Sequence, residues 1–186
     1  LSVAPYYNKP SQNGIFLHYK TIASVSPVPV IIYNVPGRTS VNIDADTTLK
    51  LANEVKNIIA TKEASGDLAQ IMEIIKNRPD GFKVISGDDA LTLTMIMLGG
   101  DGVISVIANA CPQEFSSMVK YALNGDCAKA REIHYQLLDL INALFEEGSP
   151  AGVKALLSMK GYIENSLRLP LTPISNELNQ KIKNLI

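Results

Sequence analysis

Lys62 stands at the end of a short apolar run, Ile58-Ile59-Ala60, and is followed by a small-residue turn, Ala64-Ser65-Gly66, and an apolar-periodic stretch of helical spacing. In a strand-then-helix unit this order puts the amine at the carboxyl end of a buried strand, where α/β barrels and open α/β sheets carry their chemistry. A lysine there is partly desolvated. Desolvation disfavours the ammonium, so the neutral amine becomes available to attack a carbonyl carbon and form an imine. The competing reading is a solvated lysine that snorkels from the strand end and pairs with Glu63.

Other residues fall at equivalent places. Tyr7, Tyr33, Arg38, Gly87-Asp88-Asp89 and Asn109 lie at or just past the ends of strand-like segments. A strand-end phenol can relay protons to and from a carbinolamine and an imine, and a guanidinium can hold a carboxylate in a bidentate fork. Each also has a plainer reading. Tyr33 is then a strand-end tyrosine reaching solvent, and Arg38 a solvated charge on a loop. Asp88 and Asp89 are then helix N-caps. Tyr6 and Tyr7 are then loop aromatics or an interface patch. His18 and His134 fall on helices away from this face and read as structural.

These side chains must be positioned by a regular scaffold. Strand-like segments at 1–6, 30–33, 58–61, 82–86 and 102–108 alternate with helical patterns near 12–25, 45–55, 67–77, 89–98 and 112–123. Asp44 is a plausible N-cap for the second helix, and residues 34–39 read as a loop dense in turn formers. After Gly125 the pattern changes. Asp126 caps a long helix to about 145, Ser149-Pro150 opens another to about 160, residues 167–173 form an extended proline-bounded connector, and a last helix covers about 175–185. The expected division is residues 1–125, strand–helix units, and residues 126–186, a helical domain. Near-continuous apolar strands joined by helices mean a parallel sheet. Two architectures remain open: a complete five-stranded doubly wound sheet, or a (β/α)8 barrel of which only five units are present. A chain that begins inside a strand-like segment, at Leu1 and without a methionine, favours the second.

Composition excludes several classes. The 186 residues carry a net charge of −1 and are 46% hydrophobic, so one sizeable core is available and no basic surface points to nucleic acid or an anionic membrane. No apolar run approaches a membrane span. The first residues read as a strand and not as a signal peptide. Cys111 and Cys127 stand singly, without metal-ligand spacing, and read as reduced thiols of a cytoplasmic protein. The glycines lack the spacing of a nucleotide loop.

Taken together, several motifs resemble the dihydrodipicolinate synthase (4-hydroxy-tetrahydrodipicolinate synthase) family. They are Pro-Tyr-Tyr-Asn-Lys-Pro at 5–10, Tyr-Asn-Val-Pro-Gly-Arg-Thr at 33–39, Lys-Glu-Ala-Ser at 62–65, Ser-Gly-Asp-Asp at 86–89, Gly-Val-Ile-Ser-Val at 102–106 and Arg-Leu-Pro-Leu-Thr-Pro at 168–173. The resemblance runs in order over essentially the whole chain. It implies a (β/α)8 barrel, here its last five units (strands 4–8) followed by a three-helix segment. It also implies a lyase that condenses pyruvate with L-aspartate 4-semialdehyde on the diaminopimelate route to lysine. By position, Lys62 matches the Schiff-base lysine, Tyr33 the proton-relay tyrosine, and Arg38 the arginine that holds the semialdehyde carboxylate. Tyr7 matches a tyrosine donated across a dimer interface to complete a neighbour's relay. Ile104 and Gly87 match residues lining the pyruvate pocket, and Tyr6 matches an interface tyrosine near the site where lysine binds in feedback-sensitive members. The covalent imine removes the need for a cofactor or metal. The implied assembly is a homo-oligomer, a dimer of dimers.

Two other readings stand beside it. One is another pyruvate-dependent aldolase of the same superfamily, similar to sialic-acid lyase, which usually lacks an arginine at the position of Arg38. The other is a non-catalytic homologue that binds a small acid. The sequence departs from the family in places. The Gly-Thr-Thr-Gly-Glu loop that binds the pyruvate carboxylate is absent, Ser40 stands where glycine is usual, and Thr61 stands where many members have a small residue. The resemblance thus implies an N-terminally incomplete chain, inactive and poorly stable by itself because an opened barrel exposes strand edges.

Overall fold

The computed structural model describes residues 1–186. They form two compact units, Leu1–Ile104 and Ser105–Ile186. The first contains five strands: β1 (Ser2–Val3), β2 (Val30–Asn34), β3 (Ile58–Glu63), β4 (Lys83–Ser86) and β5 (Gly102–Val103). Between them run α1 (Gln12–Val25), the one-turn α2 (Pro36–Thr39), α3 (Ala45–Glu54), α4 (Leu68–Asn77) and α5 (Thr92–Met97).

The strands pair in parallel in the order β1-β2-β3-β4-β5. This order decides between the two architectures. A doubly wound sheet reverses its strand order at a switch point, which sends helices to both faces. Here each strand adds beside the one before it. Right-handed crossovers then put every helix on the same face, as in the wall of a (β/α)8 barrel. The packing agrees: α1 lies against α3, and α3 against α4 and β3. Ile15, Phe16, Tyr19, Ile32, Leu51, Ile58, Ile71, Ile74 and Val84 close the core between sheet and helices. On the other face Val3, Ile59 and Ile104 remain exposed. The protein is therefore an α/β barrel-type fold represented by five consecutive β/α units.

Local chemistry sets the helix starts. Asp44 accepts from Thr47 N–H at 2.7 Å, and Asp67 accepts from Ala69 and Gln70 N–H at 3.0 and 3.1 Å, each satisfying donors with no partner inside the helix. Tyr19 donates its hydroxyl to the Ser2 carbonyl at 3.0 Å and ties α1 to β1.

Two sequence expectations need correction. Residues 34–39 are not all loop, because Pro36 at the first helical position pre-sets a single turn that carries Arg38. The fifth strand is also far shorter than 102–108. Val106 takes helical dihedrals and residues Ile107–Asn109 form a 3-10 turn, with Ser105 Oγ accepting from Ala108 N–H at 3.0 Å. That side-chain bond offers the backbone an alternative to the ladder.

In the second unit, α6 (Pro112–Leu123) packs on α7 (Cys127–Phe145), which packs on α8 (Ala151–Met159) and α9 (Asn176–Lys183). By packing, the helix over 112–123 thus keeps company with the helices after Gly125. Gly152 lets α8 approach the Leu144 backbone; a Cβ there would lie 2.3 Å from the Leu144 carbonyl oxygen. His134 is buried in α7, and His18 is exposed on α1.

The turn after α2 ends on Ser40, at φ 57° and ψ 19°. This is the left-handed region, where a Cβ crowds the backbone and glycine does not. Ser40→Gly is expected to raise stability by about 0.5–1 kcal/mol, seen as a higher urea midpoint with an unchanged slope.

Candidate active site

β3 runs two residues past the expected strand 58–61, because Lys62 and Glu63 keep partners on both sides. Tyr33 of β2 and Ile85 of β4 flank Lys62, and Asn34 and Ser86 flank Glu63. The ladder then continues one residue beyond the strands. Ala64 N–H donates to the Asn34 carbonyl at 2.9 Å, Gly87 N–H to that of Glu63 at 2.7 Å, and Ile104 N–H to that of Ser86 at 2.9 Å. Residues expected near the chemistry are thus held by backbone bonds and not by loose loops.

Strand alternation sends Lys62 to the face that carries no helices and Glu63 to the helix-packed face. The pairing of Lys62 with Glu63 considered from sequence does not occur. Glu63 is fully buried behind the sheet, where it accepts from Asn34 and Ser65.

Lys62 is 9% exposed, and its Nζ lies 4.3 Å from the centroid of the Tyr33 ring. Burial pulls its pKa below the ordinary lysine value. The Asp89 carboxylate works in the opposite direction and the Arg38 guanidinium adds to the fall. Tyr33 is raised above the usual phenol value by burial, with Arg38 partly offsetting the rise. The pair therefore joins an amine biased toward its neutral form to a phenol biased toward keeping its proton. That is the state needed for an amine to attack a carbonyl while a neighbouring hydroxyl hands protons on and off the oxygen.

Gly87 makes room for this lysine. A Cβ on Gly87 would sit 2.8 Å from Lys62 Cε and 2.9 Å from Ala64 Cβ. Its turn is fixed by Ser86, which donates to the Asp88 carbonyl at 2.8 Å and accepts from Thr92 Oγ1 at 3.0 Å.

The sequence-derived candidates divide into those brought together and those left apart. Lys62, Tyr33 and Gly87 are in direct proximity. Arg38 is solvent-exposed, yet its charge bears on both Lys62 and Tyr33. Ile104, anchored to Ser86, presents a half-open side chain, 38% exposed. Tyr6 and Tyr7 are 71% and 86% exposed, so neither packs on the Lys62–Tyr33 pair. Asp88 accepts from Ala90 and Leu91 N–H at 2.9 and 3.1 Å in the turn before α5, whose N-cap is Leu91, so it is not the helix cap expected from sequence. Asp89, given the same role from sequence, is instead buried within electrostatic reach of Lys62. Asn109 lies in the 3-10 turn of the second unit and donates to the Val106 carbonyl at 2.9 Å.

Comparison with known proteins identifies the relatives of the chain. The Dihydrodipicolinate synthetase family profile matches residues 1–186. The chain belongs to this family. It is 55% identical over 186 residues to the 4-hydroxy-tetrahydrodipicolinate synthase of Parabacteroides distasonis, a match covering 100% of this chain and 63% of the relative. The dihydrodipicolinate synthase crystal structure from Aquifex aeolicus superposes with a TM-score of 0.96 at 48% identity, covering 98% of this chain and 62% of that one. The structure of the Cyanidioschyzon merolae enzyme with lysine bound superposes at 0.95 and 42% identity, again over 98% and 62%. The chain thus spans somewhat under two thirds of the length of its relatives.

Sequence reasoning missed Asn34 and the burial of Glu63. Both were in view, since each directly follows a candidate catalytic residue at the same level of adjacent strands.

Two outcomes are expected. Gly87→Ala displaces the Lys62 side chain, because Ala64 Cβ cannot retreat, and lowers carbonyl trapping by Lys62 on the order of a hundredfold. Arg38→Ala removes a positive charge that disfavours the ammonium, so the pH of half-maximal Lys62 acetylation rises; Asp89→Asn removes an anion that favours it, so that pH falls. Competitive labelling read by peptide mass spectrometry measures both.

Proposed function

We propose that the chain carries the reacting centre of a lyase that condenses pyruvate with L-aspartate 4-semialdehyde to 4-hydroxy-tetrahydrodipicolinate, on the diaminopimelate route to lysine. The observation that supports this reading most is the buried Lys62 amine, depressed in pKa and set 4.3 Å from the Tyr33 ring centroid. The neutral amine attacks the keto carbon of pyruvate, and Tyr33 relays the proton that lets the carbinolamine oxygen leave as water. Loss of a methyl proton from the imine gives an enamine, whose carbon attacks the aldehyde carbon of the semialdehyde. The amino group of the semialdehyde then closes on the imine carbon and releases Lys62. The imine itself is the electron sink, so the reaction as written uses no cofactor or metal.

Arg38, exposed beside the pair, is suited to hold the semialdehyde carboxylate in a bidentate fork. Gly87 and Ile104 line the space beside pyruvate. In the same reading, residues 1–125 supply barrel units and residues 126–186 the helices that follow. The enzyme works in the cytoplasm as a homo-oligomer, a dimer of dimers. Tyr7 supports that assembly: it is exposed and held at φ 69°, a costly conformation for a bulky residue. Offered to a neighbouring subunit, Tyr7 completes that subunit's relay, with Tyr6 beside it at the interface. Lysine is the proposed feedback ligand, in keeping with the lysine-bound relative.

Borohydride reduction in the presence of pyruvate, on the complete gene product, is expected to add the reduced pyruvyl mass to the peptide containing Lys62. Lys62→Ala abolishes the adduct, and Tyr33→Phe slows its formation about a hundredfold or more. No adduct on the unaltered protein, with pyruvate shown to bind, overturns the lyase reading in favour of a small-acid-binding protein.

A further inference from the structure

Tyr33 and Lys62 are register partners, and so are the next residues along the same two strands, Asn34 and Glu63. Side chains alternate, so the second pair points away from the first, to the helix-packed face. Both Asn34 and Glu63 are 0% exposed. Asn34 Nδ2 lies 3.2 Å from Glu63 Oε1 and 3.4 Å from Oε2, and Ser65 Oγ donates to Oε2 at 2.9 Å. Asn34 also donates to Asn42 Oδ1 at 2.8 Å and accepts from Ile43 N–H at 3.0 Å. Gln70 of α4 closes the circuit, accepting from Asn42 Nδ2 at 2.8 Å and donating to the Ile43 carbonyl at 3.2 Å.

This is an expensive way to fill a core. A buried carboxylate whose donors are all neutral loses more hydration than they return, and an apolar side chain of similar volume would cost less. Burial accordingly lifts Glu63 to about 7 against its hydrogen bonds from Ser65 and Asn34, with the Asp67 charge adding to the rise. Something other than stability is therefore served. The β2–β3 ladder suggests what. It changes register between Val30 and Ile31, where Val30 sits opposite Ile58 but Ile31 opposite Ala60. A slip of one residue along this ladder would turn Lys62 to the wrong face. The Asn34–Glu63 bond lies at the other end, immediately past the reacting pair.

We infer that the Asn34–Glu63 hydrogen bond is a positioning clamp, which locks β2 to β3 behind the sheet and so holds the Lys62 amine against the Tyr33 ring in front. The inference rests on the reading of Lys62 as the imine-forming amine. Glu63 touches no reactant; it is a positioning residue.

Glu63→Gln and Glu63→Met, made in the complete gene product, isolate the bond. Both remove the charge at similar length, but only Gln keeps an acceptor for Asn34. The groups that bear on Lys62, namely Tyr33, Arg38 and Asp89, are untouched in both. Two readouts are taken: the pH of half-maximal Lys62 acetylation, and the rate of pyruvate-dependent borohydride trapping. The clamp predicts that Glu63→Gln stays within about twofold of the unaltered protein. In Glu63→Met the acetylation pH rises toward that of an ordinary lysine and trapping slows about tenfold or more. Identical behaviour of the two variants in both readouts overturns the clamp. If Glu63→Met does not fold, Glu63→Asp serves. It keeps the charge but falls one methylene short of Asn34, and an unshifted Lys62 titration in it likewise overturns the proposal. A Gln–Met difference in acetylation without any pyruvate adduct on the unaltered protein supports the clamp and sinks the lyase reading alone.

Discussion

The parallel pairing of β2 with β3 is the constraint on which the rest depends. It sets Tyr33 beside Lys62 on one face and Asn34 beside Glu63 on the other. Because the side-chain period is two, both relations follow from a single register, and a slip of one residue would destroy both. The core between sheet and helices, the capped helix starts and the tie from Tyr19 to Ser2 keep that register in place.

The electrostatics of the site follow from the same geometry. Lys62 is desolvated because it lies between two strands and against an aromatic ring, and Gly87 leaves the volume its side chain occupies. One buried anion, Asp89, and one exposed cation, Arg38, pull its pKa in opposite directions. Burial is the larger influence, so the amine is biased toward its neutral form. Two acidic residues close in sequence to Lys62 and to Gly87, Glu63 and Asp89, take different environments. Glu63 is sealed behind the sheet among neutral donors, whereas Asp89 bears on the lysine itself. Spacing alone does not distinguish these environments.

Much of the scaffold is legible in the residue pattern. The helices 12–25, 45–55 and 112–123 and the cap at Asp44 follow from apolar periodicity and from a carboxylate placed to meet free backbone donors. Lys62, Tyr33 and Gly87 are legible as strand-end residues. The pattern misleads where local bonds compete with the ladder. Ser105 captures the Ala108 amide and ends β5 early, and Pro36 turns an expected loop into a helical turn. Asp88 and Asp89, which spacing marks as caps, take neither cap position: α5 starts at Thr92 after Leu91, Asp88 binds turn amides before it, and Asp89 is buried within electrostatic reach of Lys62.

The sequence by itself determined the order of most strands and helices, and which candidate side chains stand at the strand ends, because these depend on periodicity and turn chemistry within a few residues. It left the doubly wound sheet and the barrel wall both compatible with its pattern of elements. Only the tertiary structure decided between them, through a strand order without reversal. It also decided that Glu63 faces away from Lys62 and toward Asn34. Strand order and register are relations between segments far apart in the chain, fixed by how helices and strands close a shared core, and no local pattern of residues encodes them alone.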